Sequence, residues 1–440
     1  MARRKTGIAL SLFLNSRLVG RLDRAASGAI SFRYDTSWLV WESALPVSLS
    51  LPLRENKLTG AAVTAYFDNL LPDNEPIRRQ IADPVHAKGY DAASLLAAIG
   101  RDCVGALQFL PEGQDPGPAG ALSSRPINND EIARRLANLA RAPLGLGEDD
   151  DFRISIAGAQ EKTALLRLNG QWHLPHGTTA TTHILKPQLG VLPNGIDMSQ
   201  SVENEHFCMR LLAMLDMSVA KTEIVDFDDQ RALSIERFDR LWTKDERLLR
   251  LPQEDCCQAL ATHPSTKYET DGGPGIAQIL DILKGSDDAM TDRMRFLKAQ
   301  IVYWLLGATD GHAKNFSLSL MPGARFHLTP LYDVMSAEPA VDAGQLRHNK
   351  MKFAMAVGSN RHYAVGEILP RHFRQIANSS GVPDSSVENI FAELGRDVPG
   401  ALEKTANLMP PGFPQALLDS ITRGALNRLR LLEQVVQKNA

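Results

Sequence analysis

Asp310, Asn315 and Asp333 have the residue types and the spacing that a phosphoryl transfer requires. Such a transfer asks for little covalent help and depends on positioning and charge neutralisation. One carboxylate accepts the proton of the attacking hydroxyl. An amide oxygen and a second carboxylate hold magnesium, a hard cation that takes oxygen ligands. A recurring solution spaces the base and the asparagine as D-x-x-x-x-N, with the metal aspartate beyond a short hairpin. Asp310-Gly-His-Ala-Lys-Asn315 has that spacing. A strand from Phe316 to Leu320, a turn at Pro322-Gly323, a strand around Phe326 to Leu328 and then Asp333 follow. Asp310 is thereby a candidate base, and Asn315 and Asp333 are candidates for Mg²⁺. Alternatively, Asp310 caps a turn that Asn315 satisfies. His312 is open between metal ligand, phosphate contact and structural residue; no H-x-x-x-H pattern supports zinc.

Three further segments could serve a nucleotide. Ile154-Ser155-Ile156-Ala157-Gly158-Ala159-Gln160-Glu161-Lys162 lies between two expected strands. Its small residues would let backbone N–H groups approach a phosphate, although it is neither a Walker A loop nor a full G-x-G-x-x-G, and an ordinary hairpin is the simpler alternative. Lys162 either touches phosphate or is solvated. Lys186 ends an apolar strand, and lysine is rarely buried without a partner. Glu205, on the helix expected from Ser201, stands at a spacing similar to the lysine–glutamate pair of protein kinases; Glu203 is the alternative partner. Leu233 to Asp239, with Glu236 and Phe238, joins strand-rich to helical sequence and could form an adenine hinge. Glu236-Arg237 could equally be a surface ion pair.

The elements that must position these groups follow from periodicity. Ile8–Leu14, Leu18–Leu22 and Ile30–Tyr34 read as strands, with a turn at Asn15-Ser16; Ala61–Leu71 and Asp91–Ile99 read as helices. Residues 111–126 are rich in Pro, Gly and Ser and read as a linker, followed by a helix from Asp130 to Ala142. The spacing predicts strands at Phe152–Ile156, Thr163–Leu168 and Thr182–Leu185, the last stopped at Lys186 by Pro187. Asn169-Gly170 predicts a hairpin turn before Trp172. Beyond residue 200 the pattern is mainly helical, with Ser201–Leu215 and Thr291–Ala308 as amphipathic segments. Met294, Leu297, Ile301, Trp304 and Ala308 are expected in the core. The fold class expected is α+β, a two-lobed kinase-like arrangement. Residues 1–145 would form an N-terminal β-rich subdomain and 146–440 a catalytic domain, strand-rich over 146–250 and helical over 251–440.

Composition sets the outer bounds. With 440 residues, 44% hydrophobic and 22% charged, the chain is that of an ordinary globular protein with a large core. A net charge of −3 advertises no global nucleic-acid field. Four scattered cysteines, none in a C-x-x-C pair, fit a reducing compartment. No apolar run approaches the length of a membrane helix, and the N-terminal Arg3-Arg4-Lys5 followed by Ile8–Leu14 lacks a small-residue cleavage site. A cytoplasmic protein is expected.

Taken together, these segments resemble the HipA family, the serine/threonine kinase toxins of bacterial type II toxin–antitoxin modules. The resemblance spans nearly the whole chain. It is carried by Phe67–Pro72, Ile99–Ala106, Phe152–Ala164, Glu236–Asp239, Leu251–Asp255, Lys267–Glu269, Asp271–Gly275, Gly307–Phe316 and Tyr332-Asp333. It implies ATP and Mg²⁺ as cofactors, Asp310 as base, and Asn315 and Asp333 at the metal. Ile156 to Gln160, Lys162, Lys186 and His312 would lie at the phosphates, Glu236, Phe238 and Gln253 around adenine, and Glu205 opposite Lys186. Ser155 matches the family's autophosphorylated serine. The family's targets are aminoacyl-tRNA synthetases, notably glutamyl-tRNA synthetase. Its partner is HipB, a dimeric helix-turn-helix antitoxin, and the complex represses its own operon at operator DNA. Cys103 stands where a serine is common, and the sequence beyond about residue 335 is more divergent. The competing readings are a lipid or small-molecule kinase, which the lack of a basic amphipathic membrane helix disfavours, and a non-enzymatic, nucleotide-gated co-repressor. A metal hydrolase using Asp310, His312 and Asp333 would leave the lysine, glutamate and hinge segments unexplained.

Overall fold

The computed structural model describes residues 7–146, 153–158 and 160–439. The chain divides into two compact units. The first comprises Met1–Pro187, Val225–Ser265 and Leu318–Arg325; the second comprises Gln188–Ile224, Thr266–Ser317 and Phe326–Ala440.

In the first unit the strand Ile8–Leu14 buries Ile8, Leu10 and Leu12 in alternation, the period a half-buried strand dictates. Asn15 and Ser16 take left-handed backbone, with φ of 46° and 68°, and reverse the chain into Arg17–Arg24. That turn matches the right-handed twist of paired strands. Leu58–Thr59, Ile30–Tyr34, Arg17–Arg24, Ile8–Leu14 and Leu107–Pro111 lie in this order in an antiparallel sheet. The helices Ala61–Asp68 and Ala92–Ile99 bury Phe67 and Leu96 with it, and Phe67 meets Phe32 and Phe109 edge-on at 5.9 and 5.8 Å.

A second sheet runs Thr222–Phe227, Gln230–Glu236, His183–Pro187, Thr163–Leu168, Gln171–Pro175, Ser124–Pro126, with the division between units falling inside its first strand. Several expectations need correction here. The strand expected to stop at Lys186 continues through Pro187, whose missing N–H matters least at a strand's last residue. The linker's end, Ser124–Pro126, pairs as an edge strand, where proline is tolerated. The helix after it is Asn129–Ala137, capped by Asn128 and Glu131, and stops short of Ala142. Only Ile154–Ser155 is strand in the run expected from Phe152, which lies outside the described residues, to Ile156. Residues 222–250, inside the stretch expected to be strand-rich, carry four strands, and a fifth, Gln253–Asp255, lies where helix was expected; the apolar runs here are short and broken by turns such as Asp228 at φ 50°.

The second unit is built on the helices Ser201–Met214, Ala289–Leu306, Asp384–Asn407 and Gln415–Asn439. Asp288 caps Ala289–Leu306 through the Thr291 N–H. Leu297, Ile301, Trp304 and Ala308 are buried as expected, whereas Met294 is half-buried. Phe296, Ala299, Val302, Tyr303 and Leu305 are buried too, so the helix is enclosed on all sides from Ala299 onward, whereas Thr291, Met294, Arg295 and Lys298 leave one stripe of its first half partly exposed, as an amphipathic helix does. It ends at Gly307 in left-handed backbone, φ 63°, where a Cβ would meet Glu338 Oε1 at 2.9 Å. No helix of the described residues is long and apolar enough to cross a membrane. The four cysteines are buried and form no disulfide.

Candidate active site

Two groups of residues assemble, one in each unit. In the second unit the enclosed helix delivers the chain through Gly307 to Asp310. The Asp310 carbonyl accepts from the His312 N–H and from Asn315 Nδ2, both at 2.8 Å, and the Asn315 N–H donates to the His312 carbonyl at 2.9 Å. The loop is therefore closed by its own backbone and by the asparagine amide. Asn315 does satisfy the turn, as the simpler reading had it, but only through its nitrogen. Its Oδ1 remains for another partner.

The Asp310 side chain is exposed, whereas His312 to Asn315 are buried. Tyr268 holds that exposed carboxylate: its hydroxyl donates to Asp310 Oδ1 at 2.6 Å, and its ring meets the His312 ring edge-on at 4.9 Å. His312 thus has a packing role within the loop. Tyr268 was not singled out from the sequence, since 42 residues separate it from Asp310 and no spacing rule links them.

Asp333 adopts left-handed backbone, φ 61°, uncommon for a residue with a Cβ. Its neighbour Tyr332 is tied to the loop, donating to the Lys314 carbonyl at 2.9 Å and meeting Ser317 Oγ at 2.6 Å. Tyr303 lies beneath: its ring would be 2.8 Å from a Cβ on Gly311. Burial, reinforced by the negative charge of Asp333, pushes the Tyr303 phenol well above its ordinary value. The Tyr303 hydroxyl is buried with no hydrogen-bond partner among the described residues. An amide oxygen and a carboxylate are hard oxygen donors, of the kind that suit magnesium and not a soft metal. Among the described residues there is no cluster of three His, Cys, Asp or Glu side chains fit for a metal ion. Glu203 and Glu205 are both buried on Ser201–Met214, and Glu203 accepts from Gln188 Nε2 at 2.6 Å.

In the first unit the strand Ile154–Ser155 pairs in parallel with Asp102–Cys103, Ser155 opposite Cys103, and not with the strand that follows it. The segment 154–162 is therefore not a hairpin. Ser155 is fully buried and its Oγ donates to the Leu70 carbonyl at 2.7 Å. Gly158 has φ 108° and bridges Pro72; a Cβ there would collide with Lys162 Nζ at 2.5 Å. Lys162 is buried and donates to the Ala157 carbonyl at 2.9 Å, so it is not a solvated lysine. Ala159 lies outside the described residues. Lys186 is 5% exposed and pairs with Leu233, while Glu236, opposite His183, is exposed. Arg237 is buried and bonds Asp239 and Asp102, so Glu236-Arg237 is not a surface ion pair. Gln253 Nε2 approaches Asp239 Oδ2 at 3.5 Å.

Comparison with known proteins bears on both units. Residues 154–402 match the model of the HipA-like C-terminal domain, and residues 10–110 that of the HipA N-terminal domain. A putative kinase, Y4mE, of Sinorhizobium fredii is 33% identical over 91% of this chain and 93% of its own length. The serine/threonine-protein kinase toxin HipA of Shewanella oneidensis is 29% identical over 93% of this chain and 92% of its own. Among solved structures, HipA from the Shewanella oneidensis complex of HipA, HipB and operator DNA superposes with a TM-score of 0.81 at 24% identity, covering 97% of this chain and 99% of that one. The fold is thus the mixed helix-and-strand, kinase-like one expected. On the two domain models and the full-length relatives, the chain belongs to the HipA family of kinases.

Proposed function

We propose that this protein is the toxin of a toxin–antitoxin module, a Mg-ATP-dependent serine/threonine kinase that arrests growth by modifying a translation protein. The observation that carries the reading is the loop at the end of the enclosed helix, with Asp310 exposed, oriented by Tyr268 and closed by Asn315. Asp310 accepts the proton of a serine or threonine hydroxyl as its oxygen attacks the γ-phosphorus and ADP departs. Asn315 Oδ1 and Asp333 would hold Mg²⁺, which neutralises charge on the phosphates. Lys186, Lys162, His312 and the backbone of 156–160 bind phosphates, and Glu236, Phe238 and Gln253 bind adenine. Glu205 corresponds in spacing to the acid that pairs with the strand lysine of protein kinases.

Ser155 is the internal acceptor. Its fully buried hydroxyl has no room for a group of about −1.5 to −2 charges, so phosphorylation would drive the 154–162 segment from its seat and end nucleotide binding. The external target is an aminoacyl-tRNA synthetase, with glutamyl-tRNA synthetase the first to try. The partner is a HipB-like helix-turn-helix dimer, with which the chain co-represses its operon; the related Shewanella oneidensis complex of HipA, HipB and operator DNA supports this. The work belongs in the cytoplasm, where ATP and the translation machinery are.

Incubation of the purified chain with Mg-ATP, followed by intact-mass measurement beside Asp310→Ala, tests the reading. A gain of one phosphoryl group on Ser155, absent from the variant, is expected. No gain on the wild type and no transfer to purified synthetases, with ATP still bound, would replace the kinase with a nucleotide-gated co-repressor. Ser155→Asp should bind ATP at least tenfold more weakly; unchanged affinity would sink the switch.

A further inference from the structure

A buried charge cluster in the first unit has no place in the chemistry above. Asp102 accepts Arg240 Nη2 at 2.8 Å and Arg250 Nε at 3.1 Å on one oxygen. On the other it accepts the Thr181 N–H at 3.0 Å, the Thr181 hydroxyl at 2.7 Å and Arg237 Nη1 at 3.3 Å. Arg237 also forks onto Asp239, Nε to Oδ1 at 3.0 Å and Nη2 to Oδ2 at 2.8 Å. Both carboxylates and all three guanidinium groups are almost fully buried.

Burial alone would raise the Asp102 carboxyl, but Arg240, Arg250 and Arg237 reverse this and hold it well below the usual carboxylate range. Asp239 is likewise lowered, by Arg237 and Arg240 against its burial. Both stay ionised. Three positive and two negative charges share one dry site, so loss of either carboxylate would strand buried arginines without a counter-charge.

Its connections matter more than its stability. Asp102 lies in the two-residue strand that pairs with Ile154–Ser155, itself opposite Ile154. Arg237 and Arg240 flank Phe238, and Asp239 accepts the Gly105 N–H at 2.7 Å and approaches Gln253. One residue from the N-terminal part of the chain thereby joins the two: the Asp102 backbone pairs with the Ser155 strand, and its carboxylate holds Arg237 and Arg240 of the 236–240 segment.

We infer that Asp102 is a positioning residue for nucleotide binding, locking the Ser155 segment and the adenine segment into one rigid seat. This rests on the nucleotide assignment proposed above. The N-terminal subdomain is then a working part of the nucleotide seat, and release of the Ser155 segment is coupled to the adenine segment through this carboxylate.

The test uses the full chain, with Asp102→Asn and the gentler Thr181→Val. Valine keeps the shape and removes the hydroxyl that bonds both Asp102 and Arg237. Two quantities are read: affinity for Mg²⁺ with a non-hydrolysable ATP analogue by calorimetry, and hydrogen exchange over residues 153–162 and 289–306. Asp102→Asn should bind the analogue at least tenfold more weakly and exchange faster over 153–162, with 289–306 unchanged. Thr181→Val should show the same pattern, smaller, which covers an Asp102→Asn variant that fails to fold. A kinetic split is also expected, with KM for ATP raised and kcat little altered. Folded variants with wild-type affinity and unchanged exchange over 153–162 would overturn the inference. So would uniformly raised exchange, which marks a structural role only. If the wild type itself bound no analogue, the nucleotide assignment would fall, while the exchange readout would still decide whether Asp102 holds the Ser155 segment.

Discussion

At the scale of single residues, the site turns on which atoms are already committed. The Asn315 nitrogen is spent on the Asp310 carbonyl, which fixes the amide's orientation and reserves its oxygen. Tyr268 fixes one carboxylate oxygen of Asp310, and the other is the one proposed to receive the proton of the substrate hydroxyl. A hydrogen bond to a charged group contributes about 1.5–3 kcal/mol. Its use to catalysis lies in orientation, since it holds the exposed carboxylate in one position, so Tyr268→Phe should lower kcat roughly tenfold with little change in KM for ATP. Steady-state phosphorylation at varied ATP would show it; an equal fall in affinity would mean that Tyr268 serves binding instead. The D-x-x-x-x-N spacing is legible in the sequence because it is local. Tyr268 is not, because only folding brings it to the loop.

At the scale of elements, the strand Gln253–Asp255 pairs an adenine candidate with a buried acid. Glu254 accepts the Leu49 N–H at 2.8 Å through Oε1, and its carboxyl is fully buried. Burial pushes its carboxyl from 4.5 up to about 8, with Asp255 adding to the shift and the Ser48 and Leu49 donors opposing it. Between those values the folded chain keeps a proton that the unfolded chain has lost. Raising pH through this window therefore destabilises the fold, by about 1.4 kcal/mol per pH unit at most, and the effect levels off above about 8. Glu254→Gln keeps the acceptor and removes the titration. Urea denaturation at pH 5.5 and 8 should show the wild type losing more stability than the variant; parallel losses would mean that Glu254 is ionised throughout. Strand Ile154–Ser155 shows a limit of sequence reading at this scale. Two residues carry no periodicity, and its partner, Asp102–Cys103, lies some fifty residues earlier.

At the scale of the whole molecule, the two units are not the two halves of the sequence. The first unit takes in residues from the start, the middle and the 318–325 segment. The proposed enzymatic and repressor roles need not use the same groups. An operator gel shift should need this chain together with a HipB-like antitoxin and should survive Asp310→Ala. A shift lost with Asp310 would tie repression to catalysis.

The sequence by itself determined the fold class, the principal strands and helices, and the spacing of Asp310, Asn315 and Asp333. These depend on periodicity, turn residues and short motifs, all of which act over a few residues. Only the tertiary structure decided that Ser155 is fully buried against Leu70, that Arg237 faces Asp102 and Asp239 rather than solvent, and that Tyr268 reaches Asp310. Each is a contact between distant segments, or a burial that only the assembled core can impose. A buried arginine and an exposed one have the same letter, and the free energy that distinguishes them resides in neighbours that the chain supplies only once folded.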